Sequence, residues 1–294
     1  MSNQNKIQSW ILASRPKTLP AAFVPVLVGS SIAYNQGKFY PLYSLIALIC
    51  SLLIQIGTNF TNDLYDHLKG ADTEKRKGPL RVLSAGLISP NEMKLAIVLV
   101  FGLTFLLGLY LVYVTDWKIF VIGVFSIIAG LAYTAGPYPL AYHGLGDLFV
   151  FLFFGIIGTM GTYYLHHQEF TFISFLVSLP VGALITNILI VNNYRDVEED
   201  KQAGKNTLAV ILGREFSRYE YIFFLLLAFF IPFILYFKFN FNATVFLPYV
   251  TLPFAIILAK MIFSFQGQQL NKTLEVSAKY SALYGILFSA GMII

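Results

Sequence analysis

The chain has 294 residues, 57% of them hydrophobic and only 12% charged, with a formal net charge of +5. Soluble domains carry about 25% charged residues, so this composition excludes an ordinary water-soluble domain and reads as an integral membrane protein. The apolar runs are too long and continuous for barrel strands, which alternate in polarity. That leaves helices to satisfy the backbone in lipid.

In chain order, the first eighteen residues are polar and basic, and nothing in them resembles a cleaved signal peptide. A transmembrane helix needs about 20 mostly apolar residues. Nine segments read as candidates: 19–36, 41–60, 95–114, 118–136, 147–165, 171–191, 220–237, 244–264 and 278–294. The links after the second and sixth are long, polar and rich in Gly, Asp and Lys. Residues 1–294 therefore read as a single polytopic domain.

Lysine and arginine set orientation. With the N-terminus cytoplasmic, seventeen of the twenty fall inside, all but Lys38, Lys118 and Lys238. Nine spans then place the C-terminus outside. This bias, with anionic ligands, accounts for the basic isoelectric point without a nucleic-acid partner. The single cysteine, Cys50, lies in an apolar run and reads as a small buried hydrophobe.

Acids gather in two places, Asn62–Pro79 and Asn192–Thr207, which hold ten of the fifteen once Glu92 and Glu215 just downstream are included. Asp66-x3-Gly70-x2-Thr73 recurs as Asp200-x3-Gly204-x2-Thr207, 134 residues later. Asn192, Asp196 and Asp200 are spaced to stack on one face of a continuing helix. Asn62 and Asp66 share that spacing, and Gly70 is placed to end their helix, turning Asp72 back toward the site. Asp63 lies on a neighbouring face. Carboxylates this dense repel one another unless a cation lies between them. Hard oxygen donors suit Mg2+, held by one or two carboxylates with substrate phosphates and water. Thiolates and clustered histidines, the usual zinc ligands, are missing. Interleaved cations, among them Arg76, Arg81, Arg195 and Lys201, suit phosphate oxygens.

These motifs, with GTNFTNDLYDHLKGADTEKRKGPLRVLSAGLIS (57–89), YTAGPYPLAYHGLGD (133–147), NNYRDVEEDKQAGKNTLAVILGR (192–214) and WILASRPKTLPA (10–21), resemble the UbiA superfamily of intramembrane aromatic prenyltransferases. The likeness is greatest to the branch acting on 1,4-dihydroxy-2-naphthoate. In the hydroxybenzoate branch a second Asp follows the first by four residues. Here that position is Gly70, with Asp72 beyond it. The resemblance implies nine helices in a ring around a central cavity. It also implies a polyprenyl diphosphate donor, a 1,4-dihydroxy-2-naphthoate acceptor that loses CO2, and Mg2+, all within menaquinone biosynthesis. That chemistry points to a prokaryotic cytoplasmic membrane. Carried over by position, the metal and diphosphate residues fall on Asn62, Asp66, Asp72, Asn192, Asp196 and Asp200, with Asp63 and Asn193 adjacent.

Other residues carry two readings. Arg15 and Lys17 either reach substrate or anchor the first span. Asp147 is either an intramembrane functional acid or a favourable charge at a helix N-terminus. Tyr133, Tyr138 and Tyr142 either line an acceptor pocket or belong to an interfacial aromatic belt. Other prenyl acceptors of the same family, namely 4-hydroxybenzoate, homogentisate and haem precursors, stay open. Cation transport is disfavoured, because its acids belong near the midplane and these sit at span ends.

Overall fold

Residues 6–70 and 80–294 are described by a computed structural model, and they form helices and turns. The one strand-like pairing among them is an isolated bridge between His143 and Asn206. The helices are α1 (Lys6–Ser14), α2 (Pro20–Asn35), α3 (Pro41–Leu68), α4 (Pro90–Val114) and α5 (Trp117–Ala132). Next come α6 (Gly146–His167), α7 (Phe172–Arg195), α8 (Val197–Gln202) and α9 (Leu208–Ile211). The last are α10 (Gly213–Phe239), α11 (Ala243–Ser264) and α12 (Leu270–Ile293).

Each of the nine expected apolar segments contains a helix. By length and hydropathy, six of those helices suffice to cross a membrane: α3, α4, α6, α7, α10 and α11. A seventh span exists if α1 and α2, bent by 52° at Leu19, count together. Reaching nine requires admitting α5, only 16 residues long, and α12, whose first half carries Lys272, Glu275 and Lys279.

Local chemistry explains the boundaries. Ser89 and Glu92 form a reciprocal capping box at the start of α4, and Thr171 and Ser174 do the same for α7. Proline at the first position starts α3. Gly70 and Gly204 both lie just past helix ends with φ of +68°, a conformation glycine adopts without Cβ strain. The repeated Asp-x3-Gly is thus a helix stop with its aspartate in the last turn.

α7 is the inner helix, with 78% of its apolar window buried, against α2, α6, α10 and α12. Val177, Val181, Ile185 and Tyr194 of α7 join Val28, Tyr221, Ile231 and Tyr284 in the largest core cluster. On the other side, α2 to α6 border a partly open apolar chamber with a volume of about 210 Å3. The chamber is therefore bordered by residues between Pro25 and Leu165, while the largest core cluster draws mainly on the helices after them. On α5 the lining runs from Ile119 to Tyr133, about 20 Å at the rise of an α-helix.

Candidate active site

The first tip is the end of α3. Asp66 accepts from Arg81 Nη2 at 3.0 Å and from Tyr142 Oη at 3.0 Å, one bond on each carboxylate oxygen. Arg81 Nη1 also lies 3.6 Å from Asp63 Oδ1. All three charged side chains are more than nine-tenths buried. Arg81 is delivered by a turn that follows the acidic stretch. Val82, Leu83 and Ile88 of that turn dock among Ala13, Phe60, Leu64 and Met93. This apolar anchoring fixes the guanidinium without any hydrogen-bonded helix. Asn62 Oδ1 accepts from Thr134 Oγ1 at 2.7 Å, while the Thr134 carbonyl accepts from Lys69 Nζ at 2.9 Å.

The second tip is the end of α7. Arg195, 1% exposed, donates Nε and Nη2 to the two oxygens of Asp196, each at 2.6 Å. Its remaining bonds go to Asn192 Oδ1 at 2.8 Å and Asn271 Oδ1 at 2.7 Å. Charge-assisted bidentate pairs of this kind are among the stronger hydrogen bonds. The expected unbroken stripe of Asn192, Asp196 and Asp200 is corrected in one respect. α7 stops at Asp196, with φ −96° and ψ 10°, and α8 begins at once. Asp near a helix end competes for local hydrogen bonds. The Asp200 amide still reaches the Asp196 carbonyl at 2.8 Å, so the two aspartates stay one turn apart. Asp200 pairs with Lys205 at 3.6 Å, and burial pushes its carboxyl up to about 6, with Lys205 opposing.

Tyr142 joins the two tips. Its hydroxyl holds Asp66, its carbonyl accepts from the Asn206 amide at 3.1 Å, and its ring lies under Lys69 and Lys205 at 4.1 and 5.8 Å. Below it, Tyr133 lines the chamber and lies within electrostatic reach of Asp147, Asp200, Asp66 and Arg15. Asp147 is 4% exposed in the first turn of α6. Arg15 takes a left-handed conformation, φ 51°, directly before Pro16, where helical geometry is disfavoured. The carboxylates of both tips thus gather near Tyr133, which lines the apolar chamber.

Not every expected residue joins them. Lys17 is 70% exposed and pairs with Glu275 of α12 at 2.7 Å, so it ties two elements together at the surface. Lys201 is exposed and makes no ion pair among the described residues. Tyr138 is exposed and stacks on His143. Asn193 is buried beside the site. Asp72 and Arg76 lie outside the described residues. Thr134, Asn206 and Asn271 were not foreseen, because only the fold brings them to the motifs. Glu220 was not foreseen either, although an acid at the edge of the apolar run 220–237 is a signal of its own. It lies within electrostatic reach of Asp147.

Among the described residues no three acids, histidines or cysteines surround a single point as a complete metal cage. The donors nevertheless fit a hard divalent cation. They are carboxylate and amide oxygens on two facing tips, and Asp200 Oδ2 is buried with no hydrogen-bond partner. Magnesium characteristically takes one or two carboxylates and leaves its other positions to phosphate and water.

Residues 22–283 match the UbiA prenyltransferase family. A 1,4-dihydroxy-2-naphthoate octaprenyltransferase of Haemophilus influenzae is 37% identical over 98% of this chain and 97% of its own length. The Escherichia coli protein of the same name is 43% identical over 73% of this chain and 71% of its own. In three dimensions, a UbiA homologue from Archaeoglobus fulgidus bound to GPP and Mg2+ superposes with a TM-score of 0.72 at 17% identity, over 97% of this chain and all of that one. The chain is a member of the UbiA prenyltransferase family and an integral membrane protein.

Proposed function

We propose that this protein transfers a polyprenyl group from polyprenyl diphosphate to 1,4-dihydroxy-2-naphthoate, with loss of CO2, in menaquinone biosynthesis. The observation that carries the reading is the meeting of two carboxylate-bearing tips, through Tyr142, beside the Tyr133 that lines an apolar chamber. The acceptor follows from the names of relatives aligned over most of their length.

Asp66, Asp196 and Asp200, with Asn62 and Asn192, would hold Mg2+, and the unpartnered Asp200 Oδ2 supports this. Bound there, magnesium would neutralise charge building on the departing diphosphate. Asp63 and Asn193 flank the set. Arg81, Arg195, Lys69 and Lys205 stand beside the same carboxylates, placed to share phosphate oxygens. As the allylic C–O bond breaks, its electron pair leaves on pyrophosphate. The chamber shields the resulting allylic cation from water and keeps the prenyl tail in an apolar setting. A ring carbon of the acceptor forms the new C–C bond, and its carboxylate departs as CO2. Tyr133, which lines the chamber, is assigned to the acceptor together with its neighbours Tyr142, Asp147 and Arg15. The basic residues crowd the site's end of the bundle, which supports a cytoplasmic site and N-terminus.

Carboxyl-labelled dihydroxynaphthoate and a polyprenyl diphosphate, given to purified protein with Mg2+, should yield labelled CO2 in step with prenylated product. Active protein that prenylates another acceptor and releases no label would overturn the choice of acceptor.

A further inference from the structure

A second recess lies between the tip of α7, the start of α10 and the turn before α12. Tyr194, Arg195, Arg214, Arg218, Gln266, Gly267 and Leu270 line it, around a volume of about 380 Å3. None of these residues lines the apolar chamber.

The three arginines are engaged unequally. Arg195 gives most of its donors to Asp196, Asn192 and Asn271. Arg214 meets Glu198 at 3.4 Å, with both side chains about half exposed, a weak pair in water. Arg218 gives Nε to Tyr194 Oη at 3.0 Å, and its guanidinium lies 5.5 Å from the ring centres of both Tyr194 and Phe263. No carboxylate lies within ion-pair distance of it among the described residues. Two aromatic rings therefore hold a cation in place beside a polar recess, and a guanidinium so held presents donors in a fixed fork that matches phosphate.

The surroundings narrow the choice of ligand. Phe216, Tyr219 and Phe223 of α10 and Phe263 of α11 are all exposed, and Tyr219 packs edge-on against Phe263. Together they make an apolar wall that begins beside the arginines. Aromatic side chains of this kind gather where headgroups meet acyl chains, and basic pockets between membrane helices take anionic headgroups.

We propose that this recess binds a phosphate group, that of an anionic phospholipid whose acyl chains lie along the α10–α11 wall. The recess borders the transferase site at Arg195, but the proposal rests on Arg214 and Arg218, and its failure would leave the transferase reading untouched. A free phosphate or pyrophosphate would use the arginines and ignore the wall.

The test uses the full chain in detergent, with phosphatidylglycerol and phosphatidylcholine offered in equal amounts and retained lipid counted by native mass spectrometry. Wild type should prefer phosphatidylglycerol. Arg218→Gln should lose about fivefold of that preference, and Arg214→Gln, at an exposed position, a similar factor. Arg218→Lys should restore part of it. Both glutamine variants should keep wild-type prenyl transfer in neutral lipid, which reports an intact fold. A second arm offers inorganic pyrophosphate to the metal-free protein. Equal lipid preference in wild type and both glutamine variants would overturn the site. Arginine-dependent binding of pyrophosphate without preference for phosphatidylglycerol would overturn the lipid assignment.

Discussion

The two acidic tips hold their carboxylates by opposite means. At the end of α7 the partners are local: Arg195 adjoins Asp196, Asn192 lies one turn before it, and Lys205 follows Asp200 by five residues. At the end of α3 they come from afar. Asp66 depends on Arg81, fifteen residues on, and on Tyr142, seventy-six residues on. The local tip is organised as soon as its helix ends. The distant one exists only once the turn after the acidic stretch and the 133–147 loop have docked. A site assembled from both therefore links catalysis to the completed fold.

Removing divalent metal should have the largest effect and should not distinguish the tips: chelation takes turnover to background, and Mg2+ restores it. Asp66→Ala and Asp196→Ala come next, each lowering product formation by about 1000-fold while membrane insertion and helical circular dichroism stay intact. Full activity in either variant would remove that tip from the reaction. Arg81→Ala separates the two designs. It leaves Asp63 and Asp66 buried without their shared cation, so it should destabilise the protein by about 3–5 kcal/mol, read as a lower thermal midpoint. Tyr142→Phe removes one hydrogen bond to a buried carboxylate, and a loss of about tenfold in turnover is expected. Lys201→Ala should be nearly silent in the same assay, as should Lys38→Ala at the opposite end.

The sequence carried the helices and the local tip well. Asn192 and Asp196 are one turn apart, and the chemistry between them is contained in five letters. Gly70 could be read as a helix stop because glycine is at ease at positive φ, and Gly204 proves to be its counterpart in the repeat. The distant contacts had no such signature. Arg81 looked like one cation among several, and nothing in the sequence marks it over Lys201. What singles it out is the docking of Val82, Leu83 and Ile88. Lys17 shows the reverse. Its position before the first span fits a substrate contact as well as an anchor, and only the approach of Glu275 from α12 decides how it is used. The off-centre chamber was equally hidden, since hydropathy does not tell a lipid-facing residue from one that lines a cavity.

Where α6 crosses α7, a π-helical stretch, Phe151–Ile157, sets Gly155 against Gly182. A Cβ on Gly155 would fall 2.6 Å from the Gly182 Cα. The main chains touch with nothing between them, so these two helices behave as a fused beam rather than two rods with a compressible filling. Inserting one methyl at that fulcrum would force the beam to splay, and α7 would swing its far end, fourteen residues and about 21 Å away, off the opposing carboxylates. A residue with no chemistry of its own thereby sets how closely the jaws can shut.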